Sequence, residues 1–226
     1  MSEPEIEPLA PAEPPDAAGF VLAGGRSSRM GTDKAMVRFG RQPLAAHAVN
    51  ILREAGLAPS LAGGNPALAV IAPIVEDRQP GLGPLSGICS ALASTSAQWA
   101  VFLPVDLPLL PASLVVCLLQ DARTRGTAVT VPSVNGFAQT FPAVVSRGVL
   151  PVLERELESA RRGCFSGFQA AAASCAEAVA VVPVEMLLQA GQISHPGGLP
   201  AAWWFLNVNT VKDLLRAEVH SGPMIA

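Results

Sequence analysis

Apolar residues in this chain fall into short runs divided by glycine, proline and charge, and the spacing within the runs alternates between two periods. Gly19-Phe-Val-Leu-Ala is unbroken and ends on Gly24-Gly25, the pattern of a buried first strand feeding a tight loop. Over residues 43–55 the period changes. Leu44, His47, Ala48, Ile51 and Leu52 recur as on one side of a helix, behind a proline suited to a first turn, and Gly56 closes the segment. Short strands are predicted at 59–62 and 72–75, then a glycine-rich loop at 81–84 and a helix over 85–94. Residues 99–105 are apolar throughout, as in a strand covered on both faces. The rhythm continues through 111–122, 128–131, 139–146, 149–161, 178–182 and 203–206, and Thr210-Val-Lys-Asp213 has the form of a capping box opening a last helix. There is no internal repeat and no interdomain linker. The pattern predicts a three-layer α/β fold around a mostly parallel sheet. Ligands in such folds sit beyond the carboxyl ends of the strands, which directs attention to the loops after Ala23, Ala62, Val75 and Val105.

The most apolar window, residues 99–119, is about as long as a membrane span. Pro104, Asp106, Pro108 and Pro111 lie inside it, and a carboxylate with repeated helix breakers is a poor passenger in hydrocarbon, so no membrane association is expected. A chain of 226 residues can bury about 70% of the surface its unfolded form exposes, and needs neither disulfides nor a structural metal. The cysteines at 89, 117, 164 and 175 contain no C-x-x-C pair and match neither a zinc knuckle nor a redox motif; scattered thiols point to a reducing cytoplasm. The net charge of −3 is concentrated at one end. Residues 1–18 hold Glu3, Glu5, Glu7, Glu13 and Asp16, are rich in proline and carry no base, which marks a disordered acidic extension rather than a signal peptide. Residues 19–226 are read as one domain. Their basic and acidic groups nearly balance, which argues against a nucleic-acid partner.

The first candidate loop reads Leu22-Ala-Gly-Gly-Arg-Ser-Ser-Arg-Met-Gly-Thr-Asp-Lys34. Its glycines and small serines let backbone N–H groups approach a ligand closely, and three cations surround them, the composition of a phosphate cradle. It is neither a P-loop nor a G-x-G-x-x-G turn, and a basic surface loop is the alternative. The placement of Lys34, and the position directly after the first strand, favour the cradle.

These residues resemble the signature of nucleotidyltransferases that join a nucleoside monophosphate to a phosphorylated acceptor, and most closely that of the molybdenum cofactor guanylyltransferases. Gly83-Pro-Leu-Ser-Gly87 is similar to that family's Gly-Pro-Leu-Ala-Gly, Val105-Asp-Leu-Pro108 to its Cys-Asp-Thr-Pro, and Asn207-Val-Asn-Thr210 to its closing Asn-Val-Asn-Thr. The four ordered matches reach from residue 19 to about 217. Leu107 stands where the family has threonine, and the stretch between Ala62 and Val75 is more apolar than the family pattern. The resemblance implies a Rossmann-like nucleotidyltransferase fold, with Arg29, Lys34 and Asp106 as the catalytic residues and Mg²⁺ as cofactor. Nucleotide binding would fall to Leu22, Ala23, Gly24, Gly25, Lys34, Asn65, Asp77 and Asp106. Acceptor binding would fall to Asn207, Asn209 and Arg161.

Each role has a physical rationale and a rival. Nucleotidyl transfer builds charge on the α-phosphate and on departing pyrophosphate, which an arginine fork and a compact lysine charge can neutralise; Arg29 could instead pair with Asp33 four residues on. Asp106 ends an apolar strand, where an acid must be solvated, capped or coordinated, and a hard cation shared with phosphates suits it better than capping a helix that starts five residues later. Asp77 is either a nucleotide contact or a turn residue, and Asn65-Pro66 is also a common turn. Asn207 and Asn209 alternate with Val208, which places both amides on one side of a strand end; Asn209 or Thr210 could cap the last helix as well. Arg161 and Arg162 could grip an acceptor phosphate or form the cationic end of a helix. His47 is expected to be packed, and no histidine forms a catalytic set.

The expected reaction is transfer of GMP from Mg²⁺-bound GTP to the phosphate of molybdopterin or molybdenum cofactor. The implied protein partners are cofactor-inserting proteins or molybdoenzymes. A cytidylyltransferase is the near rival, with Gly25 rather than alanine favouring the guanine branch, and a non-catalytic nucleotide-binding module is the distant one.

Overall fold

The computed structural model describes residues 16–24, 33–159 and 163–221. Strand β1 (Ala17–Leu22) is followed by a two-stranded ribbon of β2 (Arg38–Phe39) and β3 (Gln42–Pro43), helix α1 (Leu44–Glu54), strands β4 (Pro59–Ala62) and β5 (Ile74–Val75), and helix α2 (Pro84–Ser94). Next come β6 (Trp99–Pro104), α3 (Ala112–Arg125), β7 (Val129–Val134), β8 (Phe137–Ala138), β9 (Ala143–Ser146), α4 (Leu150–Glu158) and α5 (Cys164–Ser174). The chain then forms β10 (Ala180–Pro183), α6 (Val184–Gln189), α7 (Ala201–Trp204) and α8 (Val211–Ser221).

The main sheet runs β10-β7-β9-β6-β1-β4-β5, with β8 paired to β7. β1 lies parallel between β6 and β4, Ala17 opposite Trp99 and Gly19 opposite Pro59. β9 is antiparallel to both β6 and β7. That reversal follows from the tight turn after β7, where Asn135 and Gly136 both take positive φ (51° and 79°) and send the chain straight back.

The unbroken apolar run of β6 is divided between two cores. Trp99, Val101 and Leu103 pack on one face of the sheet with Leu44, Leu52, Leu114 and Leu118 from α1 and α3. Ala100 and Phe102 pack on the other with Ile88, Leu92, Leu153 and Phe168 from α2, α4 and α5, Phe102 stacking on Phe20 with ring centroids 5.6 Å apart. Period-two alternation therefore feeds both helical layers, which is why the sequence shows no polar face here. His47 is packed as expected: Nε2 donates to the Phe39 carbonyl at 2.9 Å, and burial lowers its pKa and favours the neutral ring.

β1 begins at Ala17, inside the segment read as an acidic extension ending at residue 18. The Asp16 carbonyl accepts from Trp99 N at 3.0 Å, and its carboxylate pairs with Arg123. The sheet thus takes in residues whose side chains carry no strand signal. Deletion of residues 1–15, which leaves these contacts whole, is expected to keep soluble yield and turnover nearly unchanged; a loss of either would show that the acidic segment docks.

The strand expected over 203–206 is instead the short helix α7, with Pro200 at its N-cap. Trp204 is fully buried and its indole N–H donates to the Leu199 carbonyl at 2.7 Å. A large ring that needs a hydrogen-bond partner has overridden a weak strand pattern. Helix α5 carries no expectation from the sequence, because its small residues give it little contrast between faces; it packs closely, with Gly167 against Leu85.

The capping box is present. Asp213 Oδ2 accepts from Thr210 N (2.9 Å), Thr210 Oγ1 (2.8 Å) and Asn209 N (3.2 Å), and Asp213 N donates to Thr210 Oγ1 at 3.2 Å. The Thr210 hydroxyl, helped by these amides, holds the Asp213 carboxyl below its usual value. A depressed folded pKa adds stability that is complete above the unfolded value and fades as pH falls through the folded one. The thermal stability gap between the parent protein and Asp213→Asn should therefore be widest near neutrality and close on acidification. A gap independent of pH would rule out the charge as its source.

Candidate active site

A cleft of about 440 Å³ opens at the carboxyl ends of β1 and β6. One wall is Leu22, Ala23 and Gly24, continuing β1; another is Val105, Asp106 and Leu107, continuing β6. Behind Gly24 runs Gly63-Gly64. Gly64 has φ +106°, and a side chain there would meet Ala23 Cβ at 3.1 Å and Leu68 Cδ1 at 3.2 Å, so only glycine lets the two loops lie this close. Ala23 N donates to the Ala62 carbonyl at 3.3 Å, which commits that N–H to the sheet and leaves Ala23 to shape the wall.

Lys34 is delivered by a short 3₁₀ turn, Lys34–Met36, that the Asp33 carboxylate caps by accepting Ala35 N at 3.0 Å. The buried Ala35 anchors the turn. Lys34 Nζ then donates to Asp106 Oδ2 at 2.9 Å and to Asn209 Oδ1 at 2.6 Å. The Lys34 and Asp106 side chains are each 20% exposed, so this ion pair is partly shielded yet open to the cleft. The last segment is pinned from behind: Val208 is fully buried and its N–H donates to the Asp106 carbonyl at 2.9 Å. Asn207 lines the cleft, and Asn209 reaches Lys34. Both amides thus serve the same side, as their period-two spacing implies, although this segment is not a strand.

Leu22, Ala23, Gly24, Lys34, Asp106, Asn207 and Asn209 are therefore brought together. Gly25, Arg29 and Arg161 lie outside the described residues. Two expected nucleotide contacts are placed elsewhere. Asn65 is exposed, and its Oδ1 caps the 3₁₀ turn Pro66–Val70 by accepting Ala67 N at 2.9 Å. Asp77 Oδ1 accepts from the Ser86 hydroxyl and from Gln79 N (3.0 Å), which braces the loop ahead of α2. Neither lines the cleft, and each braces a local turn: Asn65 through Ala67 N, Asp77 through Gln79 N and the Ser86 hydroxyl. The opposite wall, Gln139, Thr140, Phe141 and Phe205, was not anticipated. Nothing in its composition signals chemistry; Gln139, Thr140 and Phe141 reach the cleft from the β8–β9 connection, and Phe205 from the end of α7.

Residues 19–163 match the family model of the MobA-like NTP transferase domain. A molybdenum cofactor guanylyltransferase of Xanthomonas euvesicatoria pv. vesicatoria is 45% identical over 112 residues, covering 49% of this chain and 57% of that protein. Its counterpart in Serratia proteamaculans is 33% identical over 213 residues, 92% of this chain and 96% of that one. Among solved structures, molybdopterin-guanine dinucleotide biosynthesis protein A of Archaeoglobus fulgidus aligns with a TM-score of 0.72 at 21% identity, over 92% of this chain and 100% of that one, a likeness of fold. A signature loop on β1, an acid at the end of β6 and a match of this extent agree: the chain is a nucleotidyltransferase and belongs to the MobA-like NTP transferase family.

Proposed function

We propose that the chain transfers GMP from Mg²⁺-bound GTP to the terminal phosphate of molybdopterin or molybdenum cofactor, giving the guanine dinucleotide cofactor and pyrophosphate. The names of the full-length relatives support the substrates. The observation that carries the chemistry is the ammonium of Lys34, seated between Asp106 and Asn209 at a glycine-walled cleft.

An oxygen of the acceptor phosphate forms the bond to the α-phosphorus of GTP as the α–β anhydride bond breaks, and the electron pair leaves with pyrophosphate. The acceptor is already anionic, so no general base is required, in keeping with a His47 that is part-buried and bound to the Phe39 carbonyl. The Asp106 carboxylate and the Asn209 amide are hard oxygen donors, and both lie within 2.9 Å of one cationic nitrogen, so a single cation can be shared between them. Mg²⁺ held there would neutralise charge on the phosphate oxygens. We assign the remaining positive charge to Lys34 and Arg29, nucleotide contact to residues 22–25, and acceptor contact to Asn207 and Arg161. Asp77 is assigned to holding the loop that presents Pro84 to the cleft.

Among the described residues no helix is long and apolar enough to cross a membrane. We place the reaction in the cytoplasm, a reading supported by the four unpaired cysteines, of which Cys89 and Cys164 are buried with thiols pushed up to about 12 by desolvation.

Pyrophosphate release measured with each nucleoside triphosphate plus molybdopterin tests the proposal. GTP should give the fastest release and a guanine dinucleotide product. Faster release with CTP would move the chain to the cytidylyltransferase branch, and none with any triphosphate would overturn catalysis.

A further inference from the structure

The oxygens best suited to a metal already hold a cation. Lys34 Nζ is bound at 2.9 Å to Asp106 Oδ2 and at 2.6 Å to Asn209 Oδ1, both charge-assisted contacts made by a side chain whose backbone is fixed by the Asp33-capped turn. We propose that Lys34 acts as a resident cation that keeps divalent metal out of this seat until a nucleoside triphosphate arrives. The proposal rests on reading Asp106 as the metal-binding carboxylate.

The argument is one of charge and tethering. A divalent ion arriving alone must displace an ammonium that is covalently attached and always present, and it brings no anion to receive the released charge. Within a few ångströms, with both side chains only 20% exposed, the repulsion between ammonium and incoming metal is incompletely screened. A triphosphate changes the balance, because its oxygens offer Lys34 an alternative partner while supplying ligands for the metal. The seat itself does not depend on the lysine. Asn209 is held through its backbone by Asp213 at 3.2 Å, and the backbone of Asp106 is held by Val208 at 2.9 Å. Withdrawal of the ammonium therefore leaves both backbones in place and frees the two side-chain oxygens for the metal. Metal and nucleotide enter together, and the lysine that guards the empty site becomes a phosphate ligand in the filled one.

The test is Mn²⁺ affinity of the full-length protein without nucleotide, read from the electron paramagnetic resonance signal of free Mn²⁺. Lys34→Met and Lys34→Gln should each bind Mn²⁺ about tenfold or more tightly than the parent, since a unit positive charge has been removed from a partly shielded contact. Adding Asp106→Asn to Lys34→Met should abolish the gain. Lys212→Met, which removes the other lysine of the chain from an exposed position on α8, should change nothing. Thermal unfolding identifies folded variants, and Lys34→Gln serves if Lys34→Met does not fold. Folded Lys34 variants that bind Mn²⁺ no better than the parent, or an equal gain from Lys212→Met, would overturn the proposal. The readout needs no turnover: tightened Mn²⁺ binding without guanylyl transfer would sink the assigned reaction and leave this inference standing, and the reverse result would do the opposite.

Discussion

Lys34→Ala is expected to lower kcat by about 10²-fold or more, with a smaller change in KM for GTP. The charge of Lys34 is felt most strongly when the transferring phosphate and pyrophosphate gain negative charge, and an interaction that strengthens in the transition state appears in the rate. That charge also binds Asp106 and Asn209, so part of its attraction to substrate is offset by any contact it gives up. Ground-state affinity should therefore understate what the lysine does. Lys34→Arg should rescue little, because a planar guanidinium cannot sit as a point charge between two oxygens at 2.9 and 2.6 Å. A folded Lys34→Ala enzyme with near-normal kcat and only weakened GTP binding would assign the lysine to ground-state binding.

Asp106→Asn is expected to reduce turnover by orders of magnitude while the protein stays folded. The substitution keeps the shape and removes one charge, and the contact that ties Asp106 to the closing segment uses its backbone carbonyl, which asparagine retains. What is lost is the anionic ligand that Mg²⁺ prefers, together with the partner that places Lys34. Activity measured over a Mg²⁺ titration, beside circular dichroism, checks this. Parent-like activity across the titration would remove Asp106 from the metal site.

The sequence was informative where one residue type can do one job. The unbroken run at 99–104 had to be a strand between two layers, the Thr210–Asp213 pair had to start a helix, and Lys34, Asp106 and Asn209 each stood out singly. Their convergence was not readable, because the contacts join residues 72 and 175 positions apart and follow from strand order rather than from spacing. Asn65 and Asp77 were ambiguous for the opposite reason: short polar side chains in loops accept from nearby donors, as both do here, and spacing alone does not separate a turn brace from a ligand contact. Residues 203–206 misled because burial of Trp204, a tertiary effect, decided a segment with weak local preference.

The bond between Lys34 and Asn209 also sets when during synthesis the protein can become an enzyme. At roughly 5–20 residues per second, about 9–35 s separate the emergence of these two residues from the ribosome. During that interval β1, β4 and β6 can pair, and the signature loop can form beside a carboxylate whose amide neighbour does not yet exist. The nascent chain thus has Lys34 and Asp106 before it has Phe205, Asn207 and Asn209, which complete the cleft and the cation seat. Competence arrives late and all at once, when the segment carrying Val208 and Asn209 is released and docks. Any event that cuts translation short before residue 207 yields a chain that lacks Asn209 and keeps Asp106 alone of the two side chains that bind Lys34.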